Sequence, residues 1–285
     1  MCLVNKLFEQ TGIEEAIQQI QSVSGGSIND SYWIQTASQQ YFMKVHTDSP
    51  QDFFHIEKTG LDQIRSTKTI HVPEVINYSD EQGEAYLLME WVEGKQTSKT
   101  DVMLGRNLAL MHQQTNSKHG FYSDTYIGTL PQTNAMCASW VDYYRDFRLK
   151  NQLELGIQTK RIHGVRREKL ERLMERLDEL LPNDVSASYL HGDLWGGNWL
   201  VGPKGVPYLI DPSFLYGHRL FELAFTELFG GFSQTFYNEY NEVYPIDSYY
   251  KDIKEIYQLY YLLVHLNLFG EMYGASVDRI LNRYS

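Results

Sequence analysis

Residues 191–198 read HGDLWGGN, and thirteen positions beyond that Asn comes the Asp of IDP, at 210–212. The first stretch follows the apolar run SYL. The second closes the apolar run VPYLI, and a GPKG turn lies between them. Asp193, Asn198 and Asp211 therefore fall on loops beside short strand-like segments. Three oxygen-bearing side chains in that setting suit a hard cation and a proton acceptor. Taken singly, each has a plainer reading: Asp193 as a turn cap, Asn198 as part of a Gly-Gly-Asn turn, Asp211 before Pro212 as an Asx turn. Their order, and what precedes them, decides between the readings.

Lys44 lies in YFMKV. In a strand, Phe42 and Lys44 share one face while Tyr41, Met43 and Val45 share the other. Alone, such a lysine could snorkel at a sheet edge. The following FFHIEKTGLDQI changes this, because Phe53, Phe54, Leu61 and Ile64 form a stripe at helical spacing with Glu57 in its middle. A carboxylate turned toward a core needs a cation, and Lys44 is the nearest in sequence. A strand Lys paired with a helix Glu is the protein-kinase arrangement that holds nucleotide phosphates. The five-residue step from Asp193 to Asn198 equals that of the kinase H-R-D-x-x-x-x-N loop. Upstream, VSGGSINDSYWI (23–34) offers Gly25, Gly26 and Ser27 as a turn whose backbone N–H groups could cover phosphates. The pattern G-x-G-x-x-G is absent, and an ordinary hairpin turn explains the pair equally well.

The pattern along the chain is that of an α+β protein with two lobes. SYWIQT, QYFMKVH, EVINYS and AYLLMEWV read as strands, interrupted by one helix at roughly 51–66. Beyond residue 99 the pattern turns helical. VMLGRNLALMHQQ, SWVDYYRDFRLKNQLEL, VRREKLERLMERLDELL, GHRLFELAFTELF and DSYYKDIKEIYQLYYLLVHLNLF follow in turn. This predicts a small antiparallel β-rich N-lobe over 1–92 and a larger, mainly helical C-lobe over 93–285, joined near EWVEG. A strand–loop–strand–turn–strand segment at 188–212 lies inside the second.

Composition narrows the partners. The 285 residues are 42% hydrophobic and 21% charged, and the formal net charge is −11. That is a globular composition with no electrostatic footprint for nucleic acid or an anionic membrane. Cys2 and Cys137 form no framework, and no basic-then-apolar leader opens the chain. Both points predict a reducing, cytoplasmic setting. LYYLLVHLNLF (259–269) is too short to span a bilayer and reads as a buried helix.

HGDLWGGN followed by DPSFLYGHRLFELAFTELFGGF (211–232) resembles the fructosamine kinase, or ketosamine-3-kinase, family. That family shares a protein-kinase-like fold with aminoglycoside phosphotransferases and choline kinases. His-Gly-Asp is common to all of these. Trp195, the GHR of 217–219 and TELFGGF (226–232) are specific, and IGTLPQTN (127–134) and the run W-x-x-Y-Y-x-x-x-R-L (140–149) also resemble the family. The likeness extends from about residue 7 to 270.

The resemblance implies ATP with Mg²⁺ as donor. It implies a ketosamine, as a small molecule or on a glycated protein, as acceptor at its third hydroxyl. Lys44 would hold phosphates and Glu57 orient it, with Gly25, Gly26 and Ser27 as the phosphate loop. The backbone of Glu90, Trp91 and Val92 would meet adenine. Asp193 would be the base, and Asn198 and Asp211 the metal ligands. Trp195 would face the sugar, unless it is a core indole beside Trp199. His218 is a second candidate substrate contact, with structural hydrogen bonding as its alternative. His112 reads as a packed helix residue. A monomer or weak dimer is expected. Two rivals stand: another small-molecule kinase of this fold, acting on an aminoglycoside, choline-like or homoserine-like acceptor, and a nucleotide-binding regulator without turnover. The chain also departs from the family. SGGS replaces the common GGGC, placing Ser27 where a Cys often stands. GHRLFELA replaces GHREADLA, with Leu220 for one acid and Glu222 for an Asp.

Overall fold

A computed structural model describes residues 2–23 and 29–285. Gly25, Gly26 and Ser27 lie outside the described residues. The chain divides into two compact units. One comprises Met1–Thr100 with Trp199–Pro212, the other Asp101–Asn198 with Ser213–Ser285. The hairpin at 199–212 thus groups with the N-terminal residues, a division that no single cut in the sequence describes.

In the first unit, β1 (Gln19–Ser22), β2 (Asp30–Gln35), β3 (Gln40–His46), β4 (Val75–Ser79) and β5 (Ala85–Glu90) form an antiparallel sheet in the order β1-β2-β3-β5-β4. Strand β3 divides its side chains as the alternation requires. Tyr41, Met43 and Val45 join Ile34, Tyr86 and Leu88 in one core cluster. That face is covered by a helix that the sequence patterning left out, α1 (Cys2–Gln10), through Val4, Leu7 and Phe8. Among the described residues the unit therefore holds two α-helices rather than one. Helix α2 (Phe53–Ser66) buries Phe53, Phe54, Glu57, Gly60, Leu61 and Ile64. Its N-terminus has no cap from Asp52; instead the Asp80 carboxylate accepts from the N–H groups of Phe54 and His55, at 2.8 and 2.9 Å. The late hairpin, β10 (Trp199–Val201) and β11 (Pro207–Leu209), is tied to the segment after α2, where Leu209 N–H donates to the His71 carbonyl.

The second unit is mostly helical. Its strands β6 (Thr115–Asn116), β9 (Ala187–Leu190) and β12 (Leu215–Gly217) form a small sheet with β9 central, and β7 (Thr125–Ile127) and β8 (Leu130–Gln132) form a hairpin. Helix α3 (Thr100–His112) precedes them. The expected helix over 140–155 is present as α4 (Trp140–Tyr143) and α5 (Lys150–Gln158), joined by a π-helical stretch at Tyr144–Leu149. The run VRREKLERLMERLDELL is not one helix. It breaks at Arg176 (φ −103°, ψ 5°) into α6 (Gly164–Glu175) and α7 (Leu177–Leu180), with Leu170, Leu173, Leu177 and Leu181 buried throughout. Helices α8 (Arg219–Thr226), α9 (Gln234–Val243), α10 (Tyr250–Phe269) and α11 (Gly274–Tyr284) complete the unit. Among the described residues no helix is long and apolar enough to cross a membrane.

Aromatic side chains dominate this core. Phe225 and Tyr261 stack with centroids 3.6 Å apart. Trp140 is fully buried, and its indole N–H donates to the Tyr257 hydroxyl at 2.9 Å. That hydroxyl lies 2.8 Å from His218 Nδ1 and shares a hydrogen bond with it. Burial holds His218 down to about 3, and burial likewise holds His119 down to about 4. Both histidines take a proton near pH 6.5 only once the chain unfolds. The unfolded state then binds the extra proton, so stability is full above that pH and falls as the pH drops below it. Urea unfolding at pH 7.5 and pH 5.0 should show this loss, and His218→Gln should reduce it by about 2 kcal/mol. An equal loss in both proteins would mean that His218 already carries a proton in the fold.

Candidate active site

Lys44 is 5% exposed and sits between two carboxylates of its own unit, 2.6 Å from Glu57 Oε1 and 2.5 Å from Asp211 Oδ1. Burial works to lower the ammonium's pKa, but Asp211 and Glu57 together hold it above its usual value. Burial pushes the Glu57 carboxyl up to about 7 against the pull of Lys44. The pairing inferred from the strand and helix patterns is therefore present, and Asp211 joins it. Asp211 adopts a left-handed backbone (φ +56°), which a short polar side chain tolerates better than most. Its side chain is 41% exposed. Its Oδ1 is turned to Lys44.

At the end of β5, the Glu90 N–H donates to the Glu74 carbonyl at 2.9 Å, and the Glu90 carboxylate accepts from Glu74 N–H at 3.0 Å. Trp91 N–H donates to the Gln40 carbonyl at 3.3 Å. Both amides are thus used within the unit. Val92 comes next, at the point where the strand pairing stops.

In the second unit β9 runs into His191-Gly192-Asp193. Gly192 (φ +85°) has no room for a side chain, since a Cβ there would lie 1.8 Å from the Ser213 carbonyl oxygen. Asp193 N–H donates to His191 Nδ1 at 3.2 Å. Asn198 closes the loop, its amide nitrogen donating to the Asp193 carbonyl at 2.8 Å and to the Asp193 carboxylate at 3.1 Å. The two residues singled out by their spacing therefore meet. The Asn198 amide oxygen, the atom a hard cation would take, is left outside these contacts.

Behind the loop stands Glu222, at 0% exposure on α8. Its Oε1 accepts from His191 N–H at 3.1 Å and its Oε2 from Gly192 N–H at 2.6 Å. His112 Nε2 donates to Oε1 at 2.8 Å, and His112 Nδ1 lies 2.8 Å from the Tyr240 hydroxyl. Burial alone would raise the Glu222 carboxyl; His112 and the Gly192 N–H overcome this and hold it below its usual value. The Tyr261 hydroxyl donates to the Gly192 carbonyl at 3.0 Å. Sequence reasoning gave Glu222 no task and His112 only a packed one. The available signal was a carboxylate inside the otherwise apolar run LFELAF, which no helix buries without partners. Leu220, by contrast, is fully buried.

Trp195 is 41% exposed and is no core indole. A Cβ on Gly197 would lie 2.4 Å from its ring, and one on Gly196 would lie 2.8 Å from Gly231 Cα. The glycines of HGDLWGGN and TELFGGF therefore meet backbone to backbone. Phe229, next to that crossing, is 40% exposed and packs 4.6 Å from the His265 ring, with Tyr273 at 5.0 Å from the same ring. His265 Nδ1 donates to the Tyr261 carbonyl at 2.7 Å, and burial lowers its pKa, so Nε2 presents a lone pair within the aromatic cluster. His218 has no such exposure; it is 3% exposed and bound to Tyr257.

Comparison with known proteins gives this geometry its family. The profile described as Fructosamine kinase matches residues 2–285. The chain belongs to the fructosamine kinase family. A relative named probable ketoamine kinase, from Enterococcus faecium, is 39% identical, with 92% of this chain and 94% of that protein covered. The chloroplastic protein-ribulosamine 3-kinase of Oryza sativa is 34% identical, over 94% of this chain and 79% of that protein. Among solved structures, one from Haemophilus somnus assigned to fructosamine-3-kinase superposes with a TM-score of 0.88 at 28% identity, covering 99% and 96% of the two chains. A choline kinase from Streptococcus pneumoniae, at 16% identity and a TM-score of 0.62 over 99% of each chain, shares the kinase-like α+β fold alone. The protein is thus a phosphotransferase of the ketoamine kinase type.

For this kinase, Glu222→Gln keeps the shape of the side chain but turns an N–H₂ toward a backbone N–H. The lost acceptor should lower the unfolding free energy by about 1–3 kcal/mol. Urea unfolding measures it. An unchanged midpoint would show that the His191–Gly192 turn does not depend on this carboxylate.

Proposed function

We propose that this kinase transfers the γ-phosphoryl group of ATP to the 3-hydroxyl of a ketosamine of the fructosamine or ribulosamine type. The observation that carries the reading is the loop in which Asn198 holds the Asp193 carboxylate beside the exposed Trp195. Asp193 orients the sugar hydroxyl and takes its proton late, as a loose phosphoryl-transfer transition state requires. Lys44, steadied by Glu57, holds phosphate oxygens, with Gly25, Gly26 and Ser27 covering them. The backbone of Glu90, Trp91 and Val92 meets adenine. Trp195 offers the sugar a flat apolar face. The His265 lone pair, among Phe229 and Tyr273, suits the substituted ammonium of the amine.

Asp211 and Asn198 fit a Mg²⁺ brought in with ATP. One half-exposed carboxylate oxygen and one amide oxygen are few protein ligands, as Mg²⁺ with phosphates expects. When bound, the ion would neutralise charge on the phosphate oxygens. A 3-phosphorylated ketosamine readily eliminates phosphate and frees its amine, so the role would be deglycation repair. A reducing cytoplasm, work as a monomer or weak dimer, and acceptors that are small molecules or glycated proteins complete the proposal. An aminoglycoside or choline-like acceptor is the second reading, supported by the shared fold alone. A regulator without turnover is disfavoured by the intact set of Lys44, Glu57, Asp193, Asn198 and Asp211.

Purified protein should consume ATP with fructosamine- or ribulosamine-type acceptors and not with kanamycin-like or choline-like ones. Turnover of only the latter would sink the acceptor assignment. Asp193→Asn should cut turnover by about 10²–10⁴-fold while ATP binding and melting temperature stay near wild type. Wild-type chemistry in that variant would place the base elsewhere. Asp211→Asn should abolish Mg²⁺-dependent turnover, read by titrating Mg²⁺ against ATP consumption; an unchanged Mg²⁺ dependence would move the metal ligand.

A further inference from the structure

The segments IGTLPQTN (127–134) and Trp140–Leu149 mark the family in the sequence but take no part in the chemistry above. Two of their polar residues are nonetheless buried, Gln132 at 3% exposure and Arg148 at 1%, and Asn134 between them is partly buried. Buried polar groups of this kind need a reason.

Gln132, at the end of β8, donates its amide N–H to Ser213 Oγ at 2.5 Å, and its amide oxygen accepts from the Tyr260 hydroxyl. Burial holds the Tyr260 phenol above its usual pKa, so it remains a donor and fixes which way the Gln132 amide faces. Ser213 in turn governs the chain entering Asp193. Its N–H donates to the His191 carbonyl at 2.9 Å, and its own carbonyl lies against Gly192 so closely that only glycine fits. We propose that Gln132 is a positioning residue for Asp193, acting through Ser213. The inference rests on the reading of Asp193 as the group that orients the acceptor hydroxyl.

Arg148 explains how Gln132 is kept in place. The guanidinium makes no ion pair with a carboxylate among the described residues. It donates to the Asn134 side-chain oxygen at 3.0 Å and to the Phe147 carbonyl at 2.8 Å. It lies over the rings of Tyr143 at 4.8 Å and Tyr260 at 5.9 Å. Tyr143 donates to the same Asn134 oxygen at 2.6 Å, and the Asn134 amide nitrogen ties the hairpin at Ser123 and Thr125. Arg148 thus braces both neighbours of Gln132: the hairpin that carries it and the tyrosine that orients it. The π-helical turn at Tyr144–Leu149 carries Arg148, and such turns recur at functional sites.

A double-mutant cycle tests the route. Gln132→Met removes the hydrogen bonds at similar volume, and Ser213→Ala removes the partner. Rates are measured on the full chain with whichever acceptor the wild type phosphorylates. A wrong acceptor then overturns the function reading alone and leaves this test standing. Each single variant should lower kcat by about 10- to 100-fold, with KM for ATP within about twofold of wild type. The double variant should be no slower than the worse single one. Additive losses, or a change confined to KM, would overturn the inference. If Gln132→Met does not fold, Gln132→Glu serves instead, since a carboxylate still accepts from Ser213 and Tyr260. It should recover most of the wild-type kcat, and a variant that folds yet stays at least tenfold slow would count against the route.

Discussion

Glu222 lies at zero exposure on a helix that is buried throughout, and it remains ionised there because two backbone N–H groups and a histidine ring point at its oxygens. A carboxylate in that position is costly unless every lone pair it exposes finds a donor. The chain meets the demand by folding His191 and Gly192 around it, so the cost and the geometry of the Asp193 turn have one origin. The Tyr261 hydroxyl takes the Gly192 carbonyl, and Ser213 N–H takes that of His191. All four backbone groups of the two residues before Asp193 are thereby committed. The loop is rigid because its polar atoms have no other partners to choose.

Much of this was legible in the sequence, in the places where a local pattern has one physical solution. Lys44 and Glu57 could be paired because each alone is an expensive residue for its strand or helix. Asp193 and Asn198 could be joined by spacing. The strands and the buried C-terminal helix followed from alternation and apolar periodicity. What stayed hidden depends on contacts between distant segments. Helix α1 is a single short element whose Val4, Leu7 and Phe8 gain nothing until the Tyr41–Met43–Val45 face exists to receive them. The break at Arg176 and the π turn at Tyr144–Leu149 leave the apolar spacing almost intact, so periodicity cannot register them. The capping of α2 by Asp80 joins residues 25 and 26 positions apart and has no local signature. Glu222 was visible as an anomaly, but not its partners.

The two units treat buried charge differently. In the first, Lys44 faces two carboxylates, one buried and one half-exposed at a left-handed turn. That arrangement sets one cation against two carboxylates, and burial raises the Glu57 carboxyl to about 7 while Lys44 pulls it down. In the second unit, Arg148 has ring faces and amide or carbonyl oxygens where a carboxylate would be expected. Replacing a charged partner by dipoles avoids a second buried ion while keeping direction in the contacts.

Two loops that the sequence marks as specific, around Trp195 and Phe229, cross where Gly196 meets Gly231. The approach is too close for any side chain, which accounts for Gly196 and Gly231, while Gly197 makes room for the Trp195 ring. Trp195 and Phe229, close in sequence to that contact, are each about two-fifths exposed. Apolar rings left exposed beside a rigid polar loop forgo burial that the core would have offered them. His265 packs against the Phe229 ring; it donates from Nδ1 to the Tyr261 carbonyl and burial lowers its pKa, so Nε2 remains an acceptor among these rings.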